Sequence, residues 1–351
     1  MKKILIEDAI GQCLCHDLTA ILETGFKGVR FVRGHKIQAE DLPILRSMGK
    51  DHVFVWEPEA DEMHEDECAI ALAQELSGDL IEHSQPSEGK IALITRVDGM
   101  LEINKSALVK LNFVPDWTVT SLQNFQPITS GSVFAAFRIV PLVTKKVNVD
   151  RAVEIVRSAK QSGRPVFRVH PFKPLKVGII ITGNEIYEKR IPDAFEPILR
   201  KKFSRFPADI KAIKFCPDDE EIILASMYAL IDQEIQLILM TGGMSVDPDD
   251  VTPSAIRRSG SKVLTQGVPM QPGNMLTLAR RGDVIILGVP GASMHFPRTS
   301  LDVFLPRIFA GLIPGKREIV RLCVGGLMVK GYPLPWPTLP LTDEEKSGFI
   351  L

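Results

Sequence analysis

Three aspartates stand in one glycine-punctuated run, Thr241-Gly242-Gly243-Met244-Ser245-Val246-Asp247-Pro248-Asp249-Asp250-Val251-Thr252-Pro253. Their spacing suits chemistry on an anion. Paired glycines let the backbone approach a ligand closely, and the start of a following helix offers unpaired N–H groups. Carboxylates go beyond what an anion cradle needs, and suit a metal ion or general acid/base work beside the bound group. The run follows an apolar stretch, Gln236-Leu237-Ile238-Leu239-Met240, and precedes Ser254-Ala255-Ile256-Arg257-Arg258, whose spacing is helical. Strand, glycine turn and helix start are therefore predicted in that order.

Three more stretches have a similar make-up: Thr182-Gly183-Asn184-Glu185, Met270-Gln271-Pro272-Gly273-Asn274 and Gly288-Val289-Pro290-Gly291-Ala292-Ser293. The N–H groups of Gly242, Gly243 and Gly291 are candidates to hold a phosphate or another oxyanion, and Thr241 and Ser245 add hydroxyls. Glu185 and Asp250 are the candidate Mg²⁺ ligands and catalytic carboxylates, with Asp249 a further metal ligand. Asp247 and Asp249 have a simpler alternative, capping the helix. Any one of these loops alone reads as an ordinary turn, because glycine is common in turns. Four along one domain point to a site.

The elements that must position them begin at Leu175. Lys176-Val177-Gly178-Ile179-Ile180-Ile181 is an unbroken apolar run, as expected of a strand covered on both faces. Helices are predicted over 193–206, 217–232 and 292–309, a strand over 209–215, and a hairpin across Arg280-Arg281-Gly282-Asp283. This alternation predicts an α/β fold with a doubly wound, mostly parallel sheet, whose ligands bind at the carboxyl ends of the strands. Residues 173–317 form that domain. Residues 1–85 read as a small α+β unit with a helix over 62–76, and 86–172 as a mixed or β-rich unit with a connecting helix over 149–160. Residues 318–351 read as an extended, proline-rich tail.

The 351 residues carry a net charge of −1, with 45% hydrophobic and 24% charged side chains, a soluble composition without the basic excess of a nucleic-acid binder. No apolar run nears the roughly 18–20 residues that span a bilayer, and Glu7 and Asp8 interrupt any leader, so a cytoplasmic protein with no membrane partner is expected. Five scattered cysteines describe no disulfide framework, and Cys13-Leu14-Cys15-His16 lacks a second ligand pair for zinc. His64-Glu65-Asp66-Glu67 lacks the second histidine of a zinc-protease helix and reads as a solvated helix face. The basic pairs Lys189-Arg190, Arg257-Arg258 and Arg280-Arg281 either flank an anionic ligand or are solvated surface.

In this order, Thr182-Gly183-Asn184-Glu185, Gly242-Gly243-Met244-Ser245-Val246, Gln271-Pro272-Gly273-Asn274 and Gly288-Val289-Pro290-Gly291 resemble the molybdopterin-binding domain of molybdopterin molybdotransferases, molybdopterin adenylyltransferases and gephyrin-type proteins. The resemblance covers about residues 175–313. Met244 alters the Gly-Gly-Val-Ser-Val loop of the first branch, while Asp250-Val251-Thr252-Pro253 repeats the ending of the second. It implies a catalytic aspartate at Asp250 and an acidic turn residue at Glu185. It further implies a cofactor-binding set of Thr182, Gly183, Asn184, Thr241, Gly242, Gly243, Met244, Ser245, Pro272, Gly273, Asn274, Pro290, Gly291 and Ser293. The implied ligands are molybdopterin, free or adenylylated, Mg²⁺ and molybdate. A homo-oligomer and a molybdoenzyme partner are also expected. The Ser-x-Met-Asp-Gly-Tyr-Ala motif of molybdotransferases has no counterpart in residues 1–174, a half that resembles proteins described only as molybdopterin-binding. Molybdate insertion with Mg²⁺-assisted AMP release is the leading expectation. A non-catalytic cofactor carrier, sensor or insertion chaperone is the alternative, and a nucleotide pyrophosphatase on the same fold the third reading.

Overall fold

The computed structural model describes residues 2–21, 27–55, 60–244 and 251–328. These divide into two compact units. One comprises Met1–Val97, Glu102–Leu122 and Thr129–Val169; the other comprises Asp98–Leu101, Gln123–Ile128 and everything from His170 onward.

The first unit opens with two small antiparallel pairs, Lys2–Leu5 with His52–Val55 and Leu18–Ile21 with Lys27–Phe31, around a cluster that includes Ile6, Leu14, Ile37, Leu45 and Val53. A four-stranded antiparallel sheet follows, in the order Ile81–His83, Ile91–Thr95, Val133–Ile139, Trp117–Ser121. The helix Lys146–Gln161 buries Val149, Ala152, Val156 and Ala159, a three-and-four spacing that keeps one stripe inward. The helix expected over 62–76 begins only at Glu65. Glu62–His64 is a strand paired with Val143–Lys145, a distant partner that overrides local helix preference. Nor are His64 and Glu65 solvated, at 1% and 2% exposure. His64 Nε2 donates to the Cys15 carbonyl at 2.6 Å, its Nδ1 accepts the Asp66 amide at 3.2 Å, and Glu65 pairs with Arg138 at 2.8 Å.

The second unit is built on six strands: β1 (Leu175–Thr182), β2 (Ala208–Cys216), β3 (Leu237–Thr241), β4 (Lys262–Gln266), β5 (Thr277–Arg281) and β6 (Val284–Gly288). Their order is β2-β1-β3-β6-β5-β4. The first four are mutually parallel, and β5 and β4 close the sheet antiparallel. Both faces are covered, which is why β1 and β3 are apolar without alternation. Val177, Ile179, Ile181, Leu237 and Leu239 pack with α1 (Phe195–Phe203) and, further along, α4 (Ser300–Phe309). Ile180, Ile238 and Met240 pack on the other side with α2 (Glu220–Ile231) and α3 (Thr252–Arg258). Gly178 leaves room for Leu230 of α2, whose Cδ1 stands 2.8 Å from where a Cβ would lie. The early segments Asp98–Leu101 and Gln123–Ile128 belong here: the Phe125 amide donates to the Leu101 carbonyl at 2.7 Å, and the Arg307 guanidinium lies 4.1 Å from the Phe125 ring centre.

Two expectations change at this level, and one strand is added. The helix expected over 292–309 is two elements, a 3₁₀ turn Gly291–Met294 and α4, separated across Pro297. Strand β4 carries no clear alternation and was not foreseen. The stretch from Glu318, expected extended, starts inside a helix, α5 (Lys316–Arg321); residues 329–351 lie outside the described residues.

Candidate functional site

Parallel strands point their carboxyl ends to one edge, so the loops after β1, β3 and β6 meet there. Because β5 runs the other way, the loop entering it arrives at the same edge. The four loops enclose a pocket of about 490 Å³. Thr182, Glu185, Gly242, Gly243, Met244, Gly273, Asn274, Pro290 and Gly291, all foreseen from the sequence, line it.

Gly242 shows why this turn needs glycine. Its φ is 81°, and a Cβ there would overlap the Thr182 carbonyl oxygen and stand 2.6 Å from Thr182 Oγ1. Gly243 follows at φ 50°. Thr182 ties the neighbouring strand ends together: its hydroxyl donates to the Thr241 carbonyl at 3.1 Å and lies 3.2 Å from the hydroxyl of Thr252, the first residue of α3. Met244 is buried over Gly288, where a Cβ would overlap its methyl group and come 3.0 Å from its sulfur. Thr241, fully buried at the end of β3, has a hydroxyl without a hydrogen-bond partner.

Other foreseen residues stand behind the pocket. Asn184 Oδ1 accepts from the Asp218 amide and Asp218 Oδ2 from the Asn184 amide, both at 3.0 Å, which interlocks the first loop with the start of α2. Ser293 is buried, 3.1 Å from the hydroxyl of Thr299, the N-cap of α4. Gly183, Thr241 and Pro272 adjoin lining residues without lining the pocket themselves. Ser245, Asp249 and Asp250 lie outside the described residues, as does Asp247. Glu185 is exposed and is the carboxylate on the pocket wall among the described residues, where no group of three or more metal-binding side chains forms. The basic pairs are engaged elsewhere: Arg190 with Glu188 at 2.8 Å, Arg258 with Glu220 at 2.6 Å, and Arg280 with Asp283 at 2.8 Å.

Sequence reasoning missed the apolar wall: Ile186, Ile191, Phe195, Met275 and Met294 beside the foreseen Met244. A signal was present. Ile186, Met275 and Met294 each stand one residue after a foreseen polar position, Glu185, Asn274 and Ser293.

The loops after β1, β3 and β6, with the loop entering β5, make this a doubly wound α/β domain with a ligand pocket at the carboxyl edge of its sheet. Residues 178–310 match the family described as a probable molybdopterin binding domain. Residues 3–57 match a domain of unknown function. The chain is 29% identical over 146 residues to a molybdopterin molybdenumtransferase of Synechococcus elongatus, covering 39% of this chain and 36% of the relative. It is 29% identical over 113 residues to a CinA-like protein of Mycolicibacterium gilvum, covering 31% and 27% respectively. The chain thus spans about a third of the length of these curated relatives. Among solved structures, the tungsten cofactor synthesizing protein MoaB from Pyrococcus furiosus is 20% identical, with 40% of this chain and 96% of that one covered and a TM-score of 0.34. Among the described residues, no helix is long and apolar enough to cross a membrane.

Proposed function

We propose that this protein binds molybdopterin in its adenylylated form and inserts molybdate into it with release of AMP. The observation that carries this reading is the pocket itself, lined by the apolar side chains of Ile186, Phe195, Met244, Met275 and Met294 together with the glycine backbone of 242–243 and the polar Glu185 and Asn274, in a domain that matches this family. The residues fit such a ligand. Methionine, isoleucine and phenylalanine side chains suit a flat ring. The successive positive-φ glycines Gly242 and Gly243 suit an oxyanion.

Glu185, with Asp249 and Asp250, would hold Mg²⁺, which supplies charge neutralisation at the phosphate being released. The chain's own part is to grip the pterin side against Met244, Met275 and Met294, and to present the phosphate to the Gly242-Gly243 amides. We further propose that the protein is a cytoplasmic homo-oligomer that passes its product to a molybdoenzyme.

The test is AMP release from adenylylated molybdopterin, with Mg²⁺ and molybdate, by wild type, Asp250→Asn and Glu185→Gln. The expected result is molybdate-dependent release that Asp250→Asn abolishes and Glu185→Gln slows roughly 100-fold. Full turnover by Asp250→Asn would remove its assignment. Tight pterin binding without release by wild type would make the protein a carrier or sensor. A nucleotide pyrophosphatase on the same fold is the second reading, and cleavage of a nucleotide sugar by the wild type would establish it.

A further inference from the structure

The family match ends at residue 310, yet the chain continues to Met328 and returns to the loop that enters β5. Helix α5 and its C-cap place Ile319 and Leu322 in the core shared by α1 and α4, at 1% and 3% exposure. Glu318 caps the turn, accepting the Gly315 amide at 3.1 Å and facing Arg307 at 3.5 Å. The chain then runs parallel to the loop that enters β5. The Gln271 amide donates to the Gly326 carbonyl at 2.7 Å, and the Met328 amide donates to the Gln271 carbonyl at 2.7 Å. Both backbone groups of Gln271 are thereby satisfied by residues outside the family match.

Gly326 permits this approach. A Cβ there would overlap the Pro269 carbonyl oxygen and stand 2.6 Å from the Leu322 carbonyl oxygen. On its other side the same loop is held by α4. The Ser300 amide donates to Pro272 at 3.2 Å, and the Ser300 hydroxyl donates to Gly273 at 2.6 Å. Gly273, Asn274 and Met275, which follow directly, are pocket wall.

We infer that residues 316–328 are a strap that positions the Gly273-Asn274-Met275 wall of the pocket, with Gly326 the residue on which the strap seats. The pocket-bearing unit therefore extends to Met328. The inference concerns the pocket whichever ligand occupies it, and stands apart from the pterin reading.

The test is amide hydrogen exchange on the full chain without ligand, for wild type, Gly326→Val and Val324→Ala. Val324 is 79% exposed on the strap, and its truncation leaves exchange unchanged. Gly326→Val frees the Gln271 amide. It also speeds exchange at Leu276 and Ser300, whose amides bond to Gly273 and Pro272, by roughly tenfold, while Leu239 in the central strand keeps its wild-type rate. A Gln271 amide that stays protected would overturn the close seating of Gly326. A freed Gln271 with unchanged Leu276 and Ser300 would show that the loop holds its place without the strap. Should Leu239 also accelerate in Gly326→Val, Gly326→Ala, with the smaller side chain at the same contact, decides between the same two outcomes.

Discussion

Replacing Gly242 by alanine separates the two reasons a glycine can be required. At φ 81° any residue with a Cβ pays for left-handed backbone, about 1 kcal/mol. At this position the Cβ also meets the Thr182 carbonyl oxygen, with the Thr182 hydroxyl 2.6 Å away. Neither can retreat easily, because Thr182 sits in β1 and its hydroxyl bonds Thr241 at 3.1 Å. Overpacking of that kind adds ~1–3 kcal/mol. Gly260 supplies the control: its φ is 78°, and nothing lies within 4 Å of an added Cβ. The expected losses are therefore ~1 kcal/mol for Gly260→Ala and ~2–4 kcal/mol for Gly242→Ala. With a urea slope of ~2–3 kcal/mol per molar, the midpoint falls by roughly 0.4 M and by roughly 1–1.5 M respectively. Far-UV circular dichroism during urea unfolding reads both. Equal shifts would refute the claim that strand-end crowding, rather than dihedral preference alone, demands glycine at 242.

Three other outcomes are expected. Lys202 is 8% exposed and bonds Asp302 at 2.6 Å and the Pro297 carbonyl at 3.1 Å, so Lys202→Met should cost ~3 kcal/mol, and a double-mutant cycle with Asp302→Asn should show coupling; strictly additive losses would deny it. Burial, and then the Arg33 charge, hold the His64 pKa below 6.5, against the opposing pull of the Cys15 carbonyl, Asp66 and Glu67. The unfolded chain thus binds a proton that the folded one refuses, so stability falls as pH drops from 7.5 to 5.5. Glu65, raised above 4.5 by burial, acts in the opposite sense in the window just above that value, so the comparison is with His64→Gln, which should lose part of the pH dependence; identical slopes in urea titrations would exclude His64. Burial pushes the Cys15 thiol up to about 11 and Cys68 up to about 12, so iodoacetamide at pH 8 should label the exposed Cys13 and Cys323 and spare both, and prompt labelling of Cys15 by mass spectrometry would contradict its burial.

The sheet centre was legible because β1 and β3 are buried on both faces and so written as unbroken apolar runs. The pocket's polar half was legible because close backbone approach leaves glycines behind in sequence. Its apolar half was not: Ile191, Met275 and Met294 come from three separate segments, so no periodicity links them. Glu62–His64 was hidden because its partner strand lies some eighty residues away and its residues favour helix when read locally. Strand β4 was hidden because an edge strand with one ladder partner needs little apolar surface. The strap was hidden by its ordinary composition; what marks it is the missing side chain of Gly326, whose meaning emerges only beside Pro269.

The stacking of Arg307 on Phe125 bears on how the protein is made. The two residues leave the ribosome about 180 residues apart. At roughly 5–20 residues per second, Phe125 waits on the order of 10–40 s for its cation. During synthesis the early segments Asp98–Leu101 and Gln123–Ile128 must stay available while the chain of the other unit is completed around them. Slowing elongation between residues 130 and 300 would lengthen that wait.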